Sequence, residues 1–189
     1  MVKKIICIRH GQATHNVDHK IRGTIAYHDP IHRDSSLVKE GENEAKNLNS
    51  EIHKLNFDTV LVSPLTRTIQ TCLLATKNIK KPIIAIEWVR EYPCGVHTPN
   101  NRKSVSFLKD KYTNIDFSEI EEDDDTIWDP VNKETKKQLD YRIEKFKEWI
   151  NKRQENTFVL FSHASFISRF LGYTKYEHIK HCYPYVIEV

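Results

Sequence analysis

The chain has 189 residues, 29% of them charged and 39% apolar, with a formal net charge of +3. These values fit one folded domain over 1–189, exclude a disordered chain, and give no electrostatic case for a nucleic-acid partner. The longest apolar runs, such as Ile83-Ile84-Ala85-Ile86, cannot span a bilayer, and Ile5-Ile6-Cys7-Ile8 after Lys3-Lys4 is no signal peptide. No membrane partner is therefore expected, and a cytoplasmic location is. Cysteines at 7, 72, 94 and 182 form no Cys-x-x-Cys pair, which suits reduced thiols.

In chain order, residues 2–8 read as a strand buried on both faces. Residues 9–38 read as a polar loop, punctuated by Gly23, Pro30 and Asp34-Ser35-Ser36. A helix is predicted over 39–54, with Ala45, Leu48, Ile52 and Leu55 at three- and four-residue steps. Phe57–Val62 reads as a strand ending at Ser63-Pro64, followed by a helix over 65–78. Pro82 opens a third strand through Trp88. Residues 91–100 are irregular, and a short helix follows over 101–111. Residues 113–131 read as a long loop whose acidic run, Glu119 to Asp125, is mostly solvated. Asn132 is placed to cap a long helix to 153, with Leu139, Ile143, Phe146 and Trp149/Ile150 on one face. Thr157–Phe161 is a fourth strand ending at Ser162-His163, then a helix over 165–171. Residues 185–189 complete the series as an edge strand. Alternating strands and helices predict an α/β fold: a three-layer α/β/α sandwich whose mostly parallel central sheet carries helices on both faces.

The chemistry gathers at strand exits, where ligands bind in open α/β sheets. The first strand ends in Arg9-His10-Gly11, with Asn16 a short loop away. The second ends in Ser63-Pro64-Leu65-Thr66-Arg67 and the fourth in Ser162-His163-Ala164. If these strands are parallel neighbours, two arginines, two histidines and a serine share one rim. Such a group of cations needs an anion between them, and a phosphoryl group suits. His10, neutral, is the candidate nucleophile, and Arg9, Arg67 and His163 would hold the phosphoryl oxygens. Gly11 would let a ligand approach the backbone, and Asn16 and Ser63 would add neutral contacts. A proton donor for the leaving alcohol is also needed. Glu91, just past the third strand, fits that role, whereas Glu87 between Ile86 and Trp88 suits a structural one. Arg102 and Lys103 are candidate contacts to a second anionic group. No metal or cofactor is expected. His15/His19, His28/His32 and His178/His181/Cys182 have ligand-like spacings, but no set of four soft ligands goes with them.

At these residues the chain resembles the histidine phosphatase superfamily, in its phosphoglycerate mutase-like branch. The resemblance lies in Ile8-Arg9-His10-Gly11-Gln12 with Asn16, Leu37 and Gly41, Ser63-Pro64-Leu65-Thr66-Arg67-Thr68-Ile69-Gln70-Thr71, Arg90-Glu91 with Gly95, and Ser162-His163. It implies a phosphohistidine mechanism on His10, with Arg9, Arg67 and His163 as the core, Glu91 as the acid and Asn16 touching phosphate. The family's Gly-His-Gly around the second histidine is Ser162-His163-Ala164 here. The function expected is a metal-independent phosphomonoesterase acting on a small acidic phosphorylated metabolite. Mutase-type phosphoryl transfer and a non-catalytic phosphate-binding module are the alternatives.

Overall fold

Strand β1 (Lys4–Arg9) alternates its side chains between two helical layers. Ile6 and Ile8 pack with one core, Ile5 and Cys7 with the other. A computed structural model describes residues 2–189, apart from the Glu177 side chain. Beside β1 run β2 (Thr59–Val62), β3 (Ile83–Ala85), β4 (Thr157–Ser162) and β5 (Pro184–Glu188), in the spatial order β3-β2-β4-β1-β5. All neighbours pair in parallel except β5, which runs antiparallel to β1.

One face carries α2 (Lys39–Ile52), α3 (Thr66–Ala75) and α4 (Val105–Lys111). The other carries α5 (Lys136–Lys152) and α6 (Ala164–Phe170), whose Leu139, Ile143, Phe146, Ile150 and Phe166 close the second core. This is the expected three-layer α/β/α arrangement. Because β2, β4 and β1 are adjacent and parallel, their carboxyl ends emerge side by side. Among the described residues no helix is long and apolar enough to cross a membrane.

Several local expectations need correction. The polar stretch 9–38 contains a helix, α1 (Thr14–Arg22), and 3-10 turns over Gly23–His28 and Pro30–His32. The third strand stops at Ala85 and passes into a 3-10 turn over Glu87–Val89. Helix α5 is capped by Thr135, not Asn132. The Thr135 hydroxyl accepts from the Gln138 N–H while the Gln138 side chain accepts from the Thr135 N–H. Asn132 instead bonds Asp129 within the preceding loop. The acidic run is mostly exposed, as expected, but its Asp125 is held in a buried ion pair with Arg90.

Candidate active site

The carboxyl ends of β1, β2 and β4 meet at a cavity of about 680 Å³. Its inner wall is formed by Arg9, His10, His15, Asn16, Arg67 and Glu91. His10 is buried at the end of β1, and its Nδ1 lies 2.7 Å from the Gly11 carbonyl. A carbonyl only accepts, so Nδ1 carries the proton and Nε2 keeps its lone pair. That lone pair accepts from Arg67 Nε at 3.2 Å. Burial and the surrounding cations, Arg67 first, hold the His10 pKa well below that of a free imidazole. The ring is thus neutral, with its unprotonated Nε2 held only by the Arg67 N–H.

Arg67 sits in the first turn of α3, fully buried. Its other nitrogens donate to Pro99 O at 2.6 Å, to Asn100 Oδ1 at 2.8 Å and to His163 Nδ1 at 3.2 Å. Every one of these acceptors is neutral, and burial lowers the Arg67 pKa to about 10. The other arginines buried as deeply have carboxylate partners. Arg90 has Glu87 and Asp125, Arg102 has Glu87, and Arg142 has Glu134. Arg9, its pKa also lowered by burial, donates one N–H to Ile179 O at 2.8 Å, while its buried Nε has no partner among the described residues. Two guanidinium groups with no paired carboxylate make a site that favours an anion.

Glu91 lies on the wall of the same cavity, partly exposed. Its Oε1 accepts from Tyr92 N at 2.8 Å and Ser165 N at 3.1 Å. Desolvation raises its pKa against the pull of those N–H groups and of Arg67 and Arg9. Asn16 also lines the cavity, holding the Ala13 N–H with its oxygen and His15 Nε2 with its amide nitrogen.

Five other candidates lie elsewhere. Ser63 is buried behind the wall, its Oγ 2.8 Å from His163 Nε2. Gly11 is small for packing: a Cβ there would come 2.5 Å from the Gly41 carbonyl on α2. Arg102 is buried against Glu87 and donates to the carbonyls of Lys103, Glu122, Asp123 and Asp124. It does not line this cavity, and neither does Lys103. His163 contacts Arg67 and Ser63 and stands 5.2 Å from His10, ring centre to ring centre, without lining the cavity itself. Its direct neighbour in the site is the arginine. Glu87, bonded to Arg90 and Arg102, is outside the cavity as well.

The outer wall carries groups that sequence reasoning did not assign to the site: Tyr27 stacked on His97, Lys133, Lys136 and Tyr176. In the sequence His15 is marked only by its spacing from His19. The described residues contain no cluster of three or more metal-ligating side chains.

The sequence profile of the histidine phosphatase superfamily (branch 1) matches residues 5–185. The chain is 28% identical to phosphoglycerate mutase-like protein 1 of Arabidopsis thaliana, over 96% of this chain and 74% of that protein. Its fold is that of the alpha-ribazole phosphatase of Shigella flexneri, with a TM-score of 0.65 at 23% identity over 97% and 89% of the two chains. The phosphoglycerate mutase of Bacillus anthracis matches as well, with a TM-score of 0.65 at 19% identity over 100% and 88%. With its ordered boxes converging on one anion-ready cavity, the chain belongs to the histidine phosphatase superfamily, branch 1.

Proposed function

We propose that this protein hydrolyses phosphate monoesters through a phosphohistidine on His10. The observation that carries this reading is the pairing of His10, its Nε2 unprotonated, with Arg67, a buried cation that no carboxylate neutralises. A phosphoryl oxygen arriving in the cavity can replace His10 as acceptor of the Arg67 Nε–H, which frees the Nε2 lone pair to attack phosphorus. The new N–P bond forms as the ester P–O bond breaks. Its electron pair leaves on the alcohol oxygen, which takes the Glu91 proton. Water then attacks phosphorus, Glu91 takes a proton from it, and the N–P electron pair returns to His10. Arg9 and Arg67 supply positive charge throughout, so the cycle needs no metal.

The substrate class is a phosphorylated metabolite that carries a second acidic group. Support for this comes from the outer wall, where Lys133 and Lys136 have no hydrogen-bonded or ion-paired partner among the described residues. Glu91 is the one carboxylate among the lining residues. The test is rapid acid and alkaline quench with a phosphorylated acid and with p-nitrophenyl phosphate, with and without EDTA. Expected are phosphate release, acid-labile phosphate on His10, insensitivity to EDTA, and loss of turnover by several orders of magnitude in His10→Ala. Isomerisation of a phosphoglycerate without phosphate release would show a mutase instead. Binding without turnover would show a phosphate-binding module.

A further inference from the structure

Just before β5 the chain runs back along the end of β1. Cys182 N donates to Arg9 O at 3.0 Å, Ile179 O accepts from Arg9, and Arg9 and His181 form an isolated parallel bridge. From this strap His181 Nδ1 reaches the carbonyl of His10 at 2.5 Å. Since a carbonyl only accepts, Nδ1 is the protonated nitrogen. The N–H at the other end of the same peptide, that of Gly11, donates to Thr71 Oγ1 at 3.0 Å. Thr71 passes its own hydrogen to the Arg67 carbonyl at 2.7 Å. Two side chains from separate parts of the chain thus hold the peptide between His10 and Gly11 at both ends. The next carbonyl, Gly11 O, is the one that takes the His10 Nδ1–H. Turning the held peptide would move that carbonyl and release the ring.

We propose that His181 is a positioning residue for the nucleophile: its Nδ1–H fixes the His10–Gly11 peptide, so that Gly11 O keeps His10 in the Nδ1–H tautomer with Nε2 toward the cavity. His181 does not line the cavity, and its ring centre is 5.5 Å from that of His10, so it acts through the backbone. The role rests on reading His10 as the nucleophile.

Three variants separate the hydrogen bond from mere bulk. His181→Asn keeps an N–H donor, His181→Phe keeps a ring without one, and His181→Ala keeps neither. The first readout is the rate of phosphoenzyme formation from p-nitrophenyl phosphate, beside the inhibition constant for inorganic phosphate. The second is the imidazole ¹⁵N spectrum of His10, assigned by its loss in His10→Gln. The Ala and Phe variants should slow phosphoenzyme formation by about tenfold or more, because a small misplacement of a reacting group is costly. Phosphate inhibition should hardly move, since Arg9 and Arg67 hold the anion. The Asn variant should recover most of the rate. The ¹⁵N spectrum should show one Nδ1–H tautomer in wild type and His181→Asn, and a mixture in the other two. A Phe variant with wild-type rate and tautomer would overturn the proposal, as would an Asn variant as impaired as Ala. So would a parallel loss of phosphate affinity. If the wild type shows the tautomer but makes no phosphoenzyme, the hydrolase reading fails, and the spectra still decide the role of His181.

Discussion

Arg67 and Arg102 are both buried arginines, and their partners separate them: Arg67 has only neutral acceptors, whereas Arg102 is paired with a carboxylate. As a ligand contact, Arg102 is suggested by its charge alone. That reading missed the acidic run folding back, so that Arg102 binds three of its carbonyls and Glu87. No local pattern encodes a partner about twenty residues on. Arg102→Ala should therefore destabilise the fold by about 3 kcal/mol in urea unfolding, the scale of a broken buried ion pair. It should raise KM no more for an acidic substrate than for p-nitrophenyl phosphate, and a selective rise would return Arg102 to the site. Arg9 and His10 at the end of β1, and Glu91 past the turn that follows β3, are legible because one turn of chain holds each signal. His15, Lys133 and His181 come to the site through tertiary packing, and only their residue types hinted at it. For the two glutamates, Glu91→Gln should slow alkyl phosphates far more than aryl phosphates, since an alkoxide needs the proton and a nitrophenolate does not. Glu87→Gln should show no such split. The stability effect has a definite sign as well. A carboxyl whose folded pKa is raised contributes most below its unfolded pKa and loses that contribution as pH rises through the folded one. Glu91→Gln should therefore melt higher than wild type at alkaline pH, with the advantage shrinking toward pH 4. The reverse trend would contradict a carboxyl whose pKa is raised by desolvation.

At the level of elements, the long periodic helices and apolar strands were readable, and the failures have specific causes. Helix α1, Thr14–Arg22, is polar and buries only His15, and its N-cap residue is Ala13, which has no capping side chain, so neither periodicity nor a cap residue marks it. The Thr135…Gln138 capping box was readable, but a neighbouring Asn132 offered the same chemistry three residues earlier. The predicted third strand ran too long because Glu87–Val89 keeps strand-like residues while turning. Gly41 shows how α2 fixes the loop after β1. A Cβ at this position would lie 2.1 Å from the Gln12 carbonyl and 2.7 Å from its nitrogen. Alanine would gain about 1 kcal/mol in helix propensity. The clash is with backbone, which no rotamer change relieves, and overpacking of this kind costs about 1–3 kcal/mol. Gly41→Ala should thus lower the urea midpoint and, by shifting the Gly11–Gln12 segment, lower kcat too. A more stable variant of full activity would show that the loop yields freely.

For the whole molecule, the site's histidines set the response to acid. His10, His15 and His163 have pKa values held well below 6.5, and those of His97 and His181 fall to about 4, burial being the first cause in each case. Between pH 6.5 and about 4 the unfolded chain takes up protons at these positions and the folded chain does not. A base whose folded pKa is depressed contributes fully above its unfolded pKa, and that contribution is lost as pH falls through this window. Each such histidine can steepen the loss by about 1.4 kcal/mol per pH unit where the two states differ by a whole proton. Two carboxyls, Asp34 and Glu91, work against this, because their raised pKa values let the folded chain bind protons first. Five histidines against two carboxyls leave the histidines in control. Unfolding free energy from urea titrations should therefore fall steadily from about pH 7 to pH 5. Inorganic phosphate should lessen the fall, because an anion between Arg9 and Arg67 favours the protonated histidines beside it. Stability that is flat or rising toward pH 5 would mean that these rings take up protons in the folded state. A neutral His10 nucleophile would then no longer describe the resting site.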